Sequence, residues 1–236
     1  WPGGIWHIKN ASVTFKLTKG PYVAWNIDGT NQREIEEVAV GEELVFVTGP
    51  GANGLFIFNR TANWDFGSFT DTSEVTNMFQ LFSYCNNFNS DISNWDVSNV
   101  TDMTGIFDGN NKFNSDISEW DVSSVTSFQY AFREATDFTS DLSNWNTGNA
   151  TAMDNMFTSA KSFNSNIGGW NTSNVEMMVS MFWGAESFDQ DIRGWDVSNV
   201  TTLQSMFEDA LNFNQDIGNW NTSNVTVTSG MFYNAR

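Results

Sequence analysis

Carboxylates are the side chains of this sequence best able to do chemistry, and they come in columns. Asp91, Asp116, Asp141, Asn166, Asp191 and Asp216 follow one another at 25-residue steps. A second series, Asp96, Asp121, Asn146, Asn171, Asp196 and Asn221, keeps the same step five residues later. Three kinds of chemistry suit such oxygens. Ca²⁺ takes Asp, Asn and carbonyl ligands, and a pair of carboxylates can hydrolyse glycosides. An Asp or Asn side chain can also accept from the backbone two residues on and so fix a turn. Stacked about 4.8 Å apart, neighbouring carboxylates repel by about 1 kcal/mol in water, so each needs a partner. A turn gives every carboxylate that partner. The first column lacks the dense glycine-and-Asp loops of calcium repeats, so Ca²⁺ is the weaker expectation there. A catalytic pair is needed only once, so columns repeated at every step favour structure over hydrolysis.

The remaining inventory for catalysis is poor. His7 is the only histidine, and Cys85, the only cysteine, rules out an intrachain disulfide. Cys85 falls in the slot filled elsewhere by Ala135, Ala160, Ala185 and Ala210, which marks it as a small buried residue. No phosphate loop, zinc motif or nucleophile elbow is present. The expectation is a protein that is not an enzyme and has no resident cofactor. Sequons at Asn99, Asn149, Asn171, Asn199, Asn221 and Asn224 are consensus letters of the repeat, so glycosylation is secondary to that role.

The elements that must position these columns follow from the same period. Trp95, Trp120, Trp145, Trp170, Trp195 and Trp220 stand 25 residues apart with no insertion between them. A fixed apolar period in the twenties means a repeat array whose units bury their faces by stacking. Ile92, Trp95, Val97 and Val100 show LxxLxLxxL spacing, which predicts a strand over 92–100. Val100, Met103, Ile106, Phe107 and Asn110 predict a short helix, capped by Asn99 or Thr101. The fold class expected is therefore an α/β repeat: a leucine-rich-repeat-like solenoid with a parallel sheet and short helices. The Trp and Phe columns belong to its core.

Residues 1–65 lack the repeat. ASVTFKL, YVAWNI, EEVAV, LVFVTG and GLFIF, separated by Gly- and Pro-bearing turns, predict a small N-terminal β domain that also caps the array. Residues 66–236 form the repeat domain. Its first unit has Thr70 in place of Trp, an adapted capping unit. The net charge of −18 argues against nucleic acid and anionic membrane surfaces as partners. No apolar run has the roughly 18 residues of a membrane span. The sequence begins at Trp1 without an initiator Met, as a processed chain or part of a longer polypeptide would.

FNSDISNWDVSNVTDMTGIF and FNQDIGNWNTSNV resemble the BspA-type leucine-rich-repeat surface proteins, over about residues 66–236. The resemblance implies an extracellular cell-surface or virion-surface protein engaged in attachment. It carries no catalytic residues.

The polar strand face is nearly the same at every step, so the column from Asp96 to Asn221 suits a periodic ligand such as a glycan. The helix face varies. Tyr130, Arg133, Met177, Val179, Trp183, Leu211 and Tyr233 stand there among polar neighbours, as contact residues for a protein partner do. The leading expectation is a non-enzymatic binding or adhesion module for a cell-surface protein or glycan. The alternatives are a structural subunit of a larger surface assembly and, more distantly, a glycoside hydrolase. The last unit leaves Ile217, Trp220, Met231 and Phe232 without a following neighbour, so the expectation is that the natural polypeptide continues or that this end packs against another chain or domain.

Overall fold

The computed structural model describes residues 13–16, 43–46, 72, 73 and 75–235. In the N-terminal block β1 (Val13–Lys16) and β2 (Glu43–Phe46) pair antiparallel, Val13 opposite Phe46 and Lys16 opposite Glu43. The strands expected in YVAWNI, EEVAV and GLFIF, the unit start at Thr70, and His7 lie outside the described residues, as does the domain boundary at residue 65.

From Val75 the chain winds in rungs of 25 residues. Parallel bridges join Asn77 to Asp102, and then Ser127, Ala152, Met177, Thr202 and Val227 in succession. Each residue therefore lies against its own equivalent. The rung itself is not the strand-and-helix unit expected from the sequence. Among the described residues there is no helix, and the only strands longer than a single bridge are β1 and β2.

The expected strand over 92–100 is two tight turns. The N–H of Trp95 donates to the Ile92 carbonyl at 3.1 Å, and that of Val100 to Val97 at 2.9 Å. Asp91 Oδ1 accepts from the Ser93 N–H and Asp96 Oδ1 from the Ser98 N–H, each at 3.0 Å. Two side-chain-fixed bends within nine residues leave no room for an extended segment.

The expected helix fails for a different reason. A helix would keep its N–H groups bonded internally, four residues back. Here the N–H groups of Met103, Gly105, Phe107 and Gly109 leave the rung, donating to Ser127, Gln129, Ala131 and Arg133 at 2.7–3.0 Å. Those of Ile106, Asp108 and Asn110 donate only three residues back. Positive φ recurs in pairs four residues apart, at Gln80 and Tyr84, Gly105 and Gly109, Tyr130 and Glu134, and onward to Gly230 and Asn234. A non-glycine residue in that region costs about 1–2 kcal/mol, which a right-handed helix would not incur. The inter-rung bonds hold the chain there. A three-residue apolar spacing is shared by a helix and by a chain that turns a corner every third residue, and the corners prevail.

The corners point apolar side chains inward. Phe82 stacks on Phe107 at 5.7 Å and on Phe88 at 3.9 Å, and the pattern repeats to Phe207 on Phe213 at 4.0 Å. Trp95 to Trp220 are all buried, at most 8% exposed. Trp145 and Trp170 stack at 6.3 Å. From Trp120 onward each indole N–H also reaches a carbonyl of the preceding rung: Trp145 Nε1 donates to Ile117 at 3.0 Å. The indole is thus both packing and register.

One core position is out of character. Asn110 occupies the slot that holds Cys85, Ala135 and Ala160 in other rungs. It is fully buried, and neither its Oδ1 nor its Nδ2 has a hydrogen-bond partner.

Two substitutions follow, with opposite signs. Trp145→Ala removes a large side chain and an inter-rung bond and should destabilise the stack by about 3–5 kcal/mol. Asn110→Ala removes unsatisfied buried groups and should stabilise it by about 1–3 kcal/mol. Denaturant midpoints of the two variants check both, and a destabilised Asn110→Ala chain would refute the account of that slot.

Candidate functional site

The two acidic columns are turn locks. In the first, Asp91, Asp116, Asp141, Asn166, Asp191 and Asp216 each accept from the N–H two residues on, at 2.9–3.2 Å. The second does the same, from Asp96 and Asp121 through Asn146, Asn171 and Asp196 to Asn221, at 2.9–3.2 Å. The surface expected as a polar sheet face is therefore a double line of Asx turns, with the second column exposed throughout. Among the described residues no group of three or more His, Cys, Asp or Glu is placed to hold a metal ion.

These bonds set the acidity. Backbone N–H groups of Ser93, Ser118 and Ser143, with the serine hydroxyls adding to them, hold Asp91, Asp116 and Asp141 below the usual carboxylate range. Bonds from Ser123 and Ser198 do the same for Asp121 and Asp196, and the Arg193 side chain leads for Asp191.

The variable surface is the outer edge of the turn segment rather than a helix face. The structure gathers Tyr130 and Arg133 into one cluster there with Tyr84 and Asp108. Arg133 grips Asp108 through two bonds, Nε to Oδ1 at 2.7 Å and Nη2 to Oδ2 at 2.8 Å. Nη2 also donates to the Tyr84 hydroxyl at 3.0 Å, and the guanidinium lies 4.9 Å from the Tyr130 ring centroid. Asp108 is only 4% exposed and Arg133 29%. Burial pushes Asp108 above its usual range even against the guanidinium, and the Asp108 bond holds Arg133 more firmly charged. Gly109, at φ +67°, lies under the Tyr84 ring, which any Cβ there would strike. The cluster thus spans three rungs and is rigid.

Two rungs on, Met177 and Trp183 are 41% and 42% exposed, with Val179 half-buried between them in the same segment. The Val179 N–H donates to Asp154 Oδ1 at 3.0 Å, and Trp183 Nε1 points at Asp209 Oδ2, 3.4 Å away. Tyr233, 68% exposed, shares the Trp183 column. Leu211 does not join them. It is half-buried on another corner, in the column of Lys161 and Glu186, which pair at 2.7 Å. Neither Tyr84 nor Asp108 is among the contact residues read from the sequence. A signal existed: opposite charges one period apart (Asp108 and Arg133) and a large residue one period before a glycine (Tyr84 and Gly109).

Among the described residues no helix is long and apolar enough to cross a membrane. The family described as "Mycoplasma protein of unknown function, DUF285" matches the chain over residues 53–169 and 151–236. No curated protein and no solved structure matches it.

The turn locks have a pH signature. Each of the six carboxylates from Asp91 to Asp196 named above as lowered has a folded pKa below its unfolded value, near 3.8. Their contribution is present above that value and lost as pH falls through the folded one. Asp108, raised by burial, acts in the other sense and loses stability as pH climbs past 3.8. Six against one, the urea midpoint should fall as pH is lowered from about 5 to about 2, through and below the ordinary carboxylate range. EDTA should leave the melting temperature unchanged at neutral pH, and a loss restored by Ca²⁺ would show the columns to be ligands.

Proposed function

The chain belongs to the DUF285 family, and we propose that it is a non-enzymatic binding module of the BspA-like surface type, which recognises a protein on a cell surface through the outer edge of its turns. Extracellular or virion-surface display is part of the same proposal. One observation carries it. The stack repeats nearly every position, yet along one edge it presents Tyr84, Tyr130, Arg133, Met177 and Trp183 on a backbone held by bonds to both neighbouring rungs. Partly exposed aromatic, Met and Arg side chains on a rigid frame are what partner-binding hot spots are made of. Preorganisation lowers the entropic cost of docking.

The Asx-turn line is a weaker candidate for a glycan. Each Oδ1 of the column from Asp96 to Asn221 is already committed to its own turn, and no aromatic platform stands beside it, the Trp column being buried.

Binding of the purified chain to intact target cells tests this. Arg133→Ala and Trp183→Ala together should weaken attachment at least about tenfold, equivalent to about 1.4 kcal/mol. Asp196→Asn, which keeps the turn-locking oxygen, should leave it unchanged. Attachment lost in the second variant and kept in the first would move the site to the turn line.

A further inference from the structure

Every positive charge in the described stack is already held. From Val75 to Ala235 the basic side chains are Lys112, Arg133, Lys161 and Arg193. They grip Asp137, Asp108, Glu186 and Asp191 in turn, at 2.6–2.9 Å. One of these pairs sits on the variable edge and includes an aromatic ring. Arg133 has the Asp108 carboxylate one rung back in its own column and the Tyr130 ring centroid 4.9 Å away. Carboxylate, planar cation and ring, a favourable trio, are thus combined inside the chain.

Farther along the same column the ring and the carboxylate recur without the cation. Trp183 stands two rungs after Arg133, and Glu208 one rung after Trp183. Neighbouring rungs lie about 4.8 Å apart. Trp183 is 42% exposed, and among the described residues no ring stacks on its indole and no cation lies over it. Its Nε1 points at Asp209 Oδ2, 3.4 Å away, which aims the indole toward the rung that carries Glu208. Glu208 is half-buried, with Oε2 over Gly230, where a Cβ would come within 3.1 Å. Among the described residues its carboxylate takes part in no ion pair and accepts no hydrogen bond. Arg133 cannot serve it: both its bonds to Asp108 are made, and Thr158, buried and uncharged, stands between Arg133 and Trp183.

We propose that Trp183, Glu208 and Asp209 receive an arginine from a basic segment of the partner protein. Its guanidinium lies against the indole while its N–H fork reaches the Glu208 carboxylate, as Arg133 combines Tyr130 with Asp108. Geometry selects arginine among cations. A planar guanidinium stacks on a ring and forks to a carboxylate at once, whereas an ammonium is a strongly hydrated point charge. The formal charge of −18 draws such a segment in.

The test titrates the full chain with a capped pentapeptide bearing one arginine in a glycine-serine frame. Citrulline and lysine versions run in parallel. The readout is the Trp183 Nε1–H resonance, identified by its absence in Trp183→Phe. The arginine peptide should shift it at a concentration at least about tenfold below that of the citrulline peptide, which keeps the shape and loses the charge. The lysine peptide should also bind more weakly than arginine. Glu208→Gln should weaken arginine binding about tenfold. Glu119→Gln, which removes an exposed carboxylate beside the turn line, should leave it unchanged. Equal titration by any two of the peptides, no shift with arginine, or indifference to Glu208→Gln would overturn the proposal. This role presupposes the binding edge proposed above, yet the measurement needs no cell. Arginine binding by a chain that attaches to no cell would sink the module reading alone. Cell attachment that needs Trp183 and ignores Glu208→Gln would sink the arginine receptor alone.

Discussion

Backbone hydrogen bonds that leave one rung for the next are what the whole stack depends on. Within a turn segment every second N–H has no acceptor in its own rung. Its acceptor sits one period on. A buried N–H without a partner costs about 1–3 kcal/mol, so a slip of one residue would orphan several groups at every junction. This explains why the period shows no insertion from Trp95 to Trp220. It also explains the core. Phe, Trp, Ile and Ala columns are uniform because each residue packs on a copy of itself, and the copy must fit.

The sequence made the period, the core columns and the turn-forming role of the first acidic column legible, since each depends only on residues at fixed spacing. The local conformation was not legible in the same way. Apolar residues three apart at Val97, Val100, Met103 and Ile106 suit a helix, and LxxLxLxxL suits a strand. The features that decide otherwise are bonds to residues 24 or 25 positions away and positive φ at residues as ordinary as Gln80, Tyr130 and Ser205. Neither leaves a local mark. Glycine at 105, 109, 184 and 230 was the one visible hint, because four positions of the same two columns are glycine.

The variable edge was legible as residue types and not as an arrangement. Tyr130 and Arg133 read as exposed contact residues, yet the structure half-buries both and ties Arg133 to Asp108 and Tyr84 on two other rungs. Contacts of this kind run along the stack, so the neighbours to look for lie one or two periods away. Leu211 shows the converse. Nearness in the sequence to the variable column put it in the same group, and the winding of the rung carried it round a corner.

Peptide groups that all donate forward also align their dipoles. Each carries about 3.5 D, and three or four per junction point along the stack against the returning bond of the Thr column (the Thr101 N–H on Thr76 and its equivalents) and, at some junctions, one or two more, such as Asp137 to Asn111 and Ser187 to Lys161. The columns add over six junctions as the turns of a helix add. Among the described rungs the N–H ends of these dipoles point toward Ala235 and the carbonyl ends toward Val75, in a chain whose formal charge is −18. The described stack is therefore electrically polar along its axis. A particle with such an axis orients before it touches: long-range attraction presents one end first, and the approach of a partner acquires a preferred direction.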